Sequence, residues 1–312
     1  MWAWALFGFL VLSALALDLG LIRRRSDKGA VSLRAAAIRS AAWIALSLLF
    51  GLFVLFIDGK AAAVAYLTAY LLEKSLSVDN VFVFVLIFGE LQIPPARQQS
   101  VLVWGVLGAL VMRALLIGAG IFVISRFHWV VYPFAALIIF AAVRLLFGEQ
   151  KERQLVVSAC AICSTWVARI IPVTAQIRGN SFWIRQSGKL VVTPLFVALV
   201  IIETTDIIFA LDSVPAVLAV TRDPFLVYSS NVFAMLGLRS LYFVLAGIVE
   251  RFRYLRMGLA AILIFFGGRL LLSGVIEVRN GISLAFIAVA LTVAILASIK
   301  WPGVKPQRQS AT

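Results

Sequence analysis

The chain has 312 residues, of which 63% are hydrophobic and only 13% are charged. Soluble proteins carry about a quarter charged residues, so this composition excludes an ordinary soluble domain and indicates a polytopic membrane protein. The net charge of +14 could suggest a nucleic-acid binder. Basic loops on the cytoplasmic side of a membrane also explain that charge, so we expect the lipid bilayer, and no nucleic acid, as a partner.

Apolar runs of about 20 residues predict nine membrane spans, because that length crosses the hydrocarbon core as an α-helix. The first run lacks a basic leading region and a small-residue cleavage site, so we expect a span there rather than a cleaved signal peptide. The predicted fold is all-α, a polytopic helical membrane protein with about nine transmembrane helices. The predicted spans are residues 1–22, 40–57, 62–88, 100–124, 129–147, 190–219, 226–248, 255–275 and 281–299.

The distribution of Lys and Arg among the loops tests this topology. With the amino terminus outside, and with Arg256 at the edge of the eighth span counted as a loop residue, the inside loops hold nineteen of these residues, the outside loops hold four and the spans hold five. Cytoplasmic loops of membrane proteins carry an excess of Lys and Arg. The count therefore predicts a multi-pass protein with its amino terminus outside and its carboxyl terminus in the cytoplasm.

Two acidic stretches within the predicted spans match each other. Each contains an acid, five further residues, an aspartate and a small polar residue. Arginines recur in the same order after each stretch, with Arg113 over Arg239 and Arg144 over Arg269. Such a recurrence indicates an internal repeat. The aligned pairs are Glu73 with Asp206, Asp79 with Asp212, and Asn80 with Ser213.

The repeat divides a single membrane domain into segments. The repeat unit is three spans, residues 62–147 and 190–275, and an odd number of spans forces the second copy to cross the membrane in the opposite direction. Inverted repeats of this kind occur in many secondary transporters, with the substrate site near the midplane. The other segments are two N-terminal spans (1–61), a cytoplasmic loop (148–189) in which we expect one short interfacial helix, and the last span with a basic tail (276–312).

The acids inside the spans are the candidate functional residues. Ionisable groups at bilayer depth are costly, so they persist mainly where they face a protein interior, water or an ion. Carboxylate, amide and hydroxyl oxygens suit Mg²⁺, Ca²⁺ and Mn²⁺. We therefore predict a divalent cation as substrate, with no permanently bound cofactor. The predicted metal ligands are Glu73, Asp79, Asn80, Glu203, Asp206 and Asp212, and Ser77, Ser213 and Asn231 are supporting residues.

Helix geometry restricts how these acids can act together. On a regular helix Glu73 and Asp79 point about 120° apart, so an unbroken helix cannot aim both at one ion. We therefore predict breaks in the helices at residues 77–80 and at residues 211–215, the second favoured by Pro215. Carbonyl groups freed at such breaks could add ligands.

The repeat also predicts which residues meet. A twofold axis should bring the equivalent acids Asp79 and Asp212 together on one cation near the bilayer centre. We expect Arg113 and Arg239 to be counter-ions that hold the acids when no cation is bound. For Asp18, near the end of the first span, a helix-end contact and a place on the ion path are about equally favoured.

Three other residues stand out. Cys160 and Cys163 form a lone C-x-x-C, which is either a redox switch or two incidental thiols. A closed zinc site needs about four ligands and the chain has one histidine, so such a site is not expected. Lys74 lies beside Glu73, and we expect its ammonium to reach another acid or to extend away from the site.

Several long motifs stand out: Glu73, Leu76 to Phe84, Trp104-Gly105 with Arg113, Thr193 to Phe196, Glu203 to Ala216, and Asp223 to Phe225 with Ser230 to Arg239. These motifs are similar to those of the TerC family, the integral membrane proteins named for tellurium resistance. The resemblance implies a bacterial inner-membrane protein of metal-ion homeostasis, with manganese export the activity best associated with the family and tellurite resistance the older one. Lys74 stands where the family more usually has an aromatic residue, and Arg269 where it often has lysine.

Three functions compete at this point. The leading prediction is a transporter that exports a divalent cation, with Mn²⁺ the expected ion, by alternating exposure of one site. An intramembrane aspartyl protease is disfavoured, because neither Asp79 nor Asp212 follows Gly-x-Gly, so we predict that the chain is not an enzyme. The alternative is a non-transporting membrane scaffold for metal stress or tellurite resistance. Protein partners, proton coupling and oligomeric state are not predicted.

Overall fold

The computed structural model describes residues 2–23, 32–147, 149–174, 176, 179–186, 188–246, 254–273 and 278–301. Within these ranges the chain forms ten α-helices and one β-hairpin, with a short 3₁₀ helix at His128–Val130. The helices are α1 (Trp2–Arg23), α2 (Leu33–Glu90), α3 (Pro95–Arg126), α4 (Val131–Phe147), α5 (Glu149–Ile170), α6 (Pro194–Leu218), α7 (Pro224–Leu236), α8 (Leu238–Leu245), α9 (Leu255–Leu271) and α10 (Asn280–Lys300). The strands are β1 (Trp183–Gln186) and β2 (Lys189–Val192).

The helices are those of a multi-pass membrane protein. Among the described residues, α2, α3, α6 and α10 are long and apolar enough to cross a membrane, and parts of α1, α4 and α5 form shorter apolar helices. Helix α2 has 58 residues, roughly 87 Å at 1.5 Å per residue, which is too long for one crossing. It bends at Gly59, whose φ of +82° suits glycine. The predicted second and third spans are therefore the two halves of one bent helix.

The helix breaks lie elsewhere than predicted. Helix α2 is helical through residues 77–80 and α6 through residues 211–215, so both predicted breaks are wrong. Pro215 removes the backbone bond of its own nitrogen, yet α6 continues past it to Leu218. The observed break is at Gly237, which separates α7 from α8 within the predicted span 226–248.

The connection between the repeats has more structure than predicted. In place of one short helix it holds the 22-residue α5, followed by the antiparallel hairpin of β1 and β2. Gly188 in the hairpin turn has a φ of +78°. The hairpin is a small addition to a chain that is otherwise helical, as the all-α prediction expects. Because β2 extends to Val192, the next helix begins at Pro194 rather than at residue 190.

Two pairs of helices pack in parallel. Along α3 and α6, Gly105 lies against Ile202 and Gly120 against Leu218, so the contacts advance in the same direction on both helices. The second half of α2 also packs parallel to α7 and α8, because Glu73 contacts Asn231 and the later residue Phe88 contacts the later residue Tyr242. Helix α4 packs against α9. Each repeat thus packs its first helix along the second helix of the other.

Two apolar clusters fill the interior. The first cluster contains Leu72, Leu110, Ala210 and Phe233. The second cluster contains Val81, Leu102, Ile202 and Leu238. On α2 the boundary falls between residues 72 and 81, and on α6 between residues 202 and 210. The acidic stretches of the two repeats lie at this boundary.

Candidate cation-binding site

Arg113 is the centre of a buried polar network. Its side chain is 2% exposed. It forms an ion pair with Glu73, which is fully buried. On its other edge the guanidinium contacts Asp206 in a forked arrangement, with Nη2 3.4 Å from Oδ1 and Nε 3.5 Å from Oδ2. The acids that the repeat alignment makes equivalent are therefore joined through one arginine.

Two neutral side chains complete the network. Nη1 of Arg113 lies 3.1 Å from Ser213 Oγ and 3.0 Å from Asn231 Oδ1. Asn231 also donates from Nδ2 to Oε2 of Glu73 at 3.2 Å. Five oxygen atoms from four side chains thus surround the guanidinium. They come from α2, α6 and α7, while α3 supplies the arginine.

The network lies deep in the helix bundle. Asp206 is at the midpoint of α6, and the network sits between the first and the second apolar cluster. A small cavity adjoins Asp206, with about 10 Å³ available to the centre of a water molecule. Gly105, Leu102 and Phe84 line it on the side of the second cluster. A cavity of this size can hold about one water molecule.

Helix geometry separates the acids of α2 as the sequence predicted. Glu73, Ser77 and Asn80 are buried on one face, and Ser77 Oγ donates to the Glu73 carbonyl at 2.9 Å. Asp79 points elsewhere, with its side chain 14% exposed, and its Oδ1 lies 3.6 Å from Nε of Arg256 on α9. The Arg256 guanidinium also lies over the Phe82 ring, 4.0 Å from the ring centre.

The acids of α6 separate in the same way. Asp206 is buried, whereas Glu203 and Asp212 are half-buried. The carboxylate of Glu203 lies against Gly108, where it would collide with any side chain. Asp212 lies near enough to Arg144 for an electrostatic interaction. The convergence of Asp79 and Asp212 on one cation stays a prediction.

The remaining candidates are placed as follows. Arg113 contacts Glu73 and Asp206, and Arg239 is buried. Asp18 lies in α1, in a part whose side chains fall outside the described ones. Lys74 differs from the expectation, because its Nζ donates to the Ala234 carbonyl of α7 at 3.2 Å, rather than reaching an acid or extending away. The carbonyls at a helix carboxyl end carry partial negative charge, which favours a cation there.

The acids do not gather into one metal cluster in this conformation. Within the described residues, no group of three or more His, Cys, Asp or Glu side chains is placed to hold a metal ion. The predicted ligand set therefore stays a prediction. Sequence reasoning missed Arg256 as a partner of Asp79. Arg256 was counted only as a basic loop residue, and no local pattern links it to an acid 177 positions earlier.

Comparison with known proteins decides the family. Residues 58–305 match the family described as "Integral membrane protein TerC family". The chain belongs to the TerC family. An "Uncharacterized membrane protein STKORF319" of Myxococcus xanthus is 43% identical over 296 residues, which cover 95% of this chain and 91% of the relative. The match therefore extends over almost the whole TerC chain.

Other TerC-type relatives carry a functional label. The protein named "Putative membrane-bound redox modulator Alx" of Salmonella typhi is 40% identical over 301 residues, covering 94% of this chain and 92% of the relative. An "Uncharacterized membrane protein" of Rickettsia bellii is 36% identical over 297 residues, covering 95% and 97%. No solved structure matches the chain.

Proposed function

We propose that this TerC protein is a transporter that exports a divalent metal cation, Mn²⁺, from the cytoplasm across the bacterial inner membrane. One observation carries the proposal: Glu73 and Asp206, from the two matched stretches, meet at a buried site between two apolar clusters. Burying two acids at this depth costs free energy, and this cost argues against a purely structural role. Their oxygens are the ligands that hard divalent cations prefer.

We also propose that the two repeats are inverted. Within each repeat a short connection, residues 91–94 or 219–223, joins the first helix to the second, so these two successive spans cross the membrane in opposite directions. Across repeats the first helix packs parallel to the second helix of the other copy, as the contacts of α3 with α6 and of α2 with α7–α8 indicate. Both parallel pairings follow if the first helices of the two repeats, the second half of α2 and α6, cross the membrane in opposite directions. The contact of α4 with α9, the third helices of the two copies, supports a twofold arrangement.

The two apolar clusters would act as the two closed sides of an alternating-access cycle. With the amino terminus outside, the cavity beside Asp206 lies on the cytoplasmic side of the network. Rocking of one repeat against the other would open the second cluster to the cytoplasm and then the first cluster to the outside. The carboxylates would bind the ion between these two openings.

The name of the Alx relatives raises a redox role as a competing function. Such a role would rest on Cys160 and Cys163 in α5, which are both free thiols. Burial, with a smaller contribution from Glu90, raises the pKa of Cys160 to about 11. Thiolates are the reactive form of cysteine, so this environment disfavours oxidation near neutral pH. The acids of the network therefore support transport better than the thiols support a redox function.

The manganese content of cells tests the proposed export directly. Bacterial cells that lack their own manganese exporter are loaded with Mn²⁺, with or without this chain, and total manganese is measured by mass spectrometry. We expect cells with the chain to hold less manganese and to survive a higher load. The variant Glu73→Gln should behave as the empty control, and Arg185→Gln on the exposed face of β1 should behave as the native chain. Equal manganese content with and without the chain would contradict export and favour the scaffold alternative.

A further inference from the structure

The guanidinium of Arg113 occupies the position that a bound cation would need. Five oxygens surround it: Oε1 of Glu73, both carboxylate oxygens of Asp206, Oγ of Ser213 and Oδ1 of Asn231. Divalent cations of the hard class take about six oxygen ligands. The oxygens that hold Arg113 are therefore close in number and kind to a complete coordination shell.

We infer that Arg113 is a tethered competitor for the transported cation, so that a divalent ion binds Glu73 and Asp206 only when the guanidinium leaves them. This inference rests on the proposed function and assigns a mechanism to the same site. The guanidinium lies between the two carboxylates and contacts both. An ion that used the same oxygens could not share them with the guanidinium, because both bear positive charge and both need the same lone pairs.

The exchange discriminates between ions by charge. Two carboxylates and one guanidinium leave the site with a net charge of −1, and two carboxylates with one divalent ion leave it neutral. A monovalent ion would restore only the charge that Arg113 already supplies, and its binding would break the hydrogen bonds of the guanidinium. A divalent ion gains more attraction from the two carboxylates than the guanidinium does. Arg113 therefore acts as a specificity residue that excludes Na⁺ and K⁺.

The exchange also links ion binding to movement of the helices. Arg113 is on α3, and its partners are on α2, α6 and α7, so its release breaks contacts between four helices at once. The released guanidinium is a charge that cannot stay unpaired in an apolar interior. The bundle must therefore rearrange when the ion binds. After the ion leaves, the return of Arg113 to the two acids closes the site again.

The test compares cation binding in two Arg113 variants of the full chain, purified in lipid nanodiscs. Mn²⁺ affinity is titrated by electron paramagnetic resonance, with and without excess Na⁺. We expect Arg113→Gln to bind Mn²⁺ more than about tenfold more tightly than the native chain, because the competitor is gone. Sodium should weaken Mn²⁺ binding in Arg113→Gln and not in the native chain. Reconstituted Arg113→Gln should transport Mn²⁺ poorly, since nothing displaces the ion.

Two further variants make the test specific. Arg113→Lys keeps the charge but lacks the planar fork, so we expect an affinity between those of the native chain and Arg113→Gln. It also serves as the decisive variant if Arg113→Gln does not fold. Arg269→Gln is the matched control, because Arg269 is a half-buried arginine that donates to Ser283 and Asn280 at 2.8 Å, away from the acids. Its Mn²⁺ affinity should equal the native value.

Two results separate this inference from the proposed function. If the native chain transports Mn²⁺ in proteoliposomes and the foldable Arg113 variants bind Mn²⁺ no more tightly than the native chain, the competitor role is wrong and export stands. If the native chain does not transport Mn²⁺ while removal of Arg113 still creates a tight, sodium-sensitive site, the competition stands and export is wrong.

Discussion

The two acids within each acidic stretch have different surroundings. We call Glu73 and Asp206 the bridged acids, because both contact Arg113 and are at most 3% exposed. We call Asp79 and Asp212 the flanking acids, because each lies half-buried beside an arginine of its own, Arg256 and Arg144. The repeat brings the first acids of the two stretches to a common centre and directs the second acids to other helices.

The difference follows from the spacing of the acids on an unbroken helix. Six residues at about 100° each turn the second acid about 120° from the first. Helices α2 and α6 both keep their regular form across the stretch, so both direct one acid inward and one outward. Burial at the centre suits a site that must exclude water, whereas a half-buried acid can exchange its partner as the helices move. The bridged acids are therefore the stronger candidates for ion binding.

Neutralising single acids separates these two classes and should give the largest effect. Asp206→Asn removes one of two charged ligands and leaves Arg113 paired with Glu73 alone, so we expect manganese export to be lost. Asp79→Asn removes a partner of Arg256 that is outside the network, so we expect export to fall only severalfold. The measurement is manganese efflux from loaded cells at matched expression, with membrane insertion checked by fractionation.

The reverse order of these effects would contradict the division into bridged and flanking acids. If Asp79→Asn and Asp212→Asn abolished export while Asp206→Asn kept most of it, the flanking acids would be the ion ligands. The predicted convergence of Asp79 and Asp212 would then describe another conformation of the transport cycle.

The sequence predicted the membrane class and marked the acids within the spans, whose role as metal ligands stays a prediction. Hydropathy marks spans because the bilayer imposes their length, and paired acids are conspicuous in apolar runs. The buried face of Glu73, Ser77 and Asn80 also followed from helical periodicity. The hairpin of β1 and β2 was missed, because a short strand pair in a mixed polar loop leaves little periodic signal.

The helix breaks and the cation partners could not be predicted. Pro215 suggested a break in α6, but the helix loses only the backbone bond of the proline nitrogen and continues to Leu218. The observed break at Gly237 lies where Lys74 packs, and that contact joins residues more than 160 positions apart. The pairing of Asp79 with Arg256 is likewise a tertiary contact. Such contacts depend on helix packing, which local patterns do not specify.

Substitution of Gly237, at the break between α7 and α8, should have the next largest effect. It tests the packing of Lys74, which is the chain neighbour of the bridged acid Glu73. A Cβ at residue 237 would lie 2.7 Å from the ammonium of Lys74. We expect Gly237→Ala to move the end of the flexible Lys74 side chain off the Ala234 carbonyl and to lower thermal stability by about 1 kcal/mol, the usual net contribution of one hydrogen bond. In a Lys74→Met background, which has no ammonium and no hydrogen bond to Ala234 to lose, the same change should cost less. Additive losses in the double variant would show that the two residues do not interact.

The partner of a flanking acid gives a smaller effect. Arg256→Gln should lower export about as much as Asp79→Asn, and the double variant should be no worse than either single variant, because both changes remove one ion pair. Partly exposed pairs contribute about 1 kcal/mol or less. Thermal melting of the four proteins measures the coupling. Independent, additive effects would indicate that the 3.6 Å contact does not contribute to stability.

Substitution of the thiols of α5 should have the smallest effect on transport, because these thiols are part of neither the Arg113 network nor the ion pairs of the flanking acids. The raised pKa of Cys160, about 11, keeps this group protonated at neutral pH, and its thiolate fraction rises about tenfold per pH unit until the pH approaches that value. Labelling of Cys160 by N-ethylmaleimide in a Cys163→Ser variant should therefore be slow at pH 7 and accelerate steeply toward pH 10, as followed by mass spectrometry.

Cys160→Ser should export manganese as the native chain does, with Glu73→Gln as the inactive control. Rapid labelling at pH 7 together with loss of export in Cys160→Ser would move the functional centre from the bridged acids to the thiols, in agreement with the redox name of the Alx relatives.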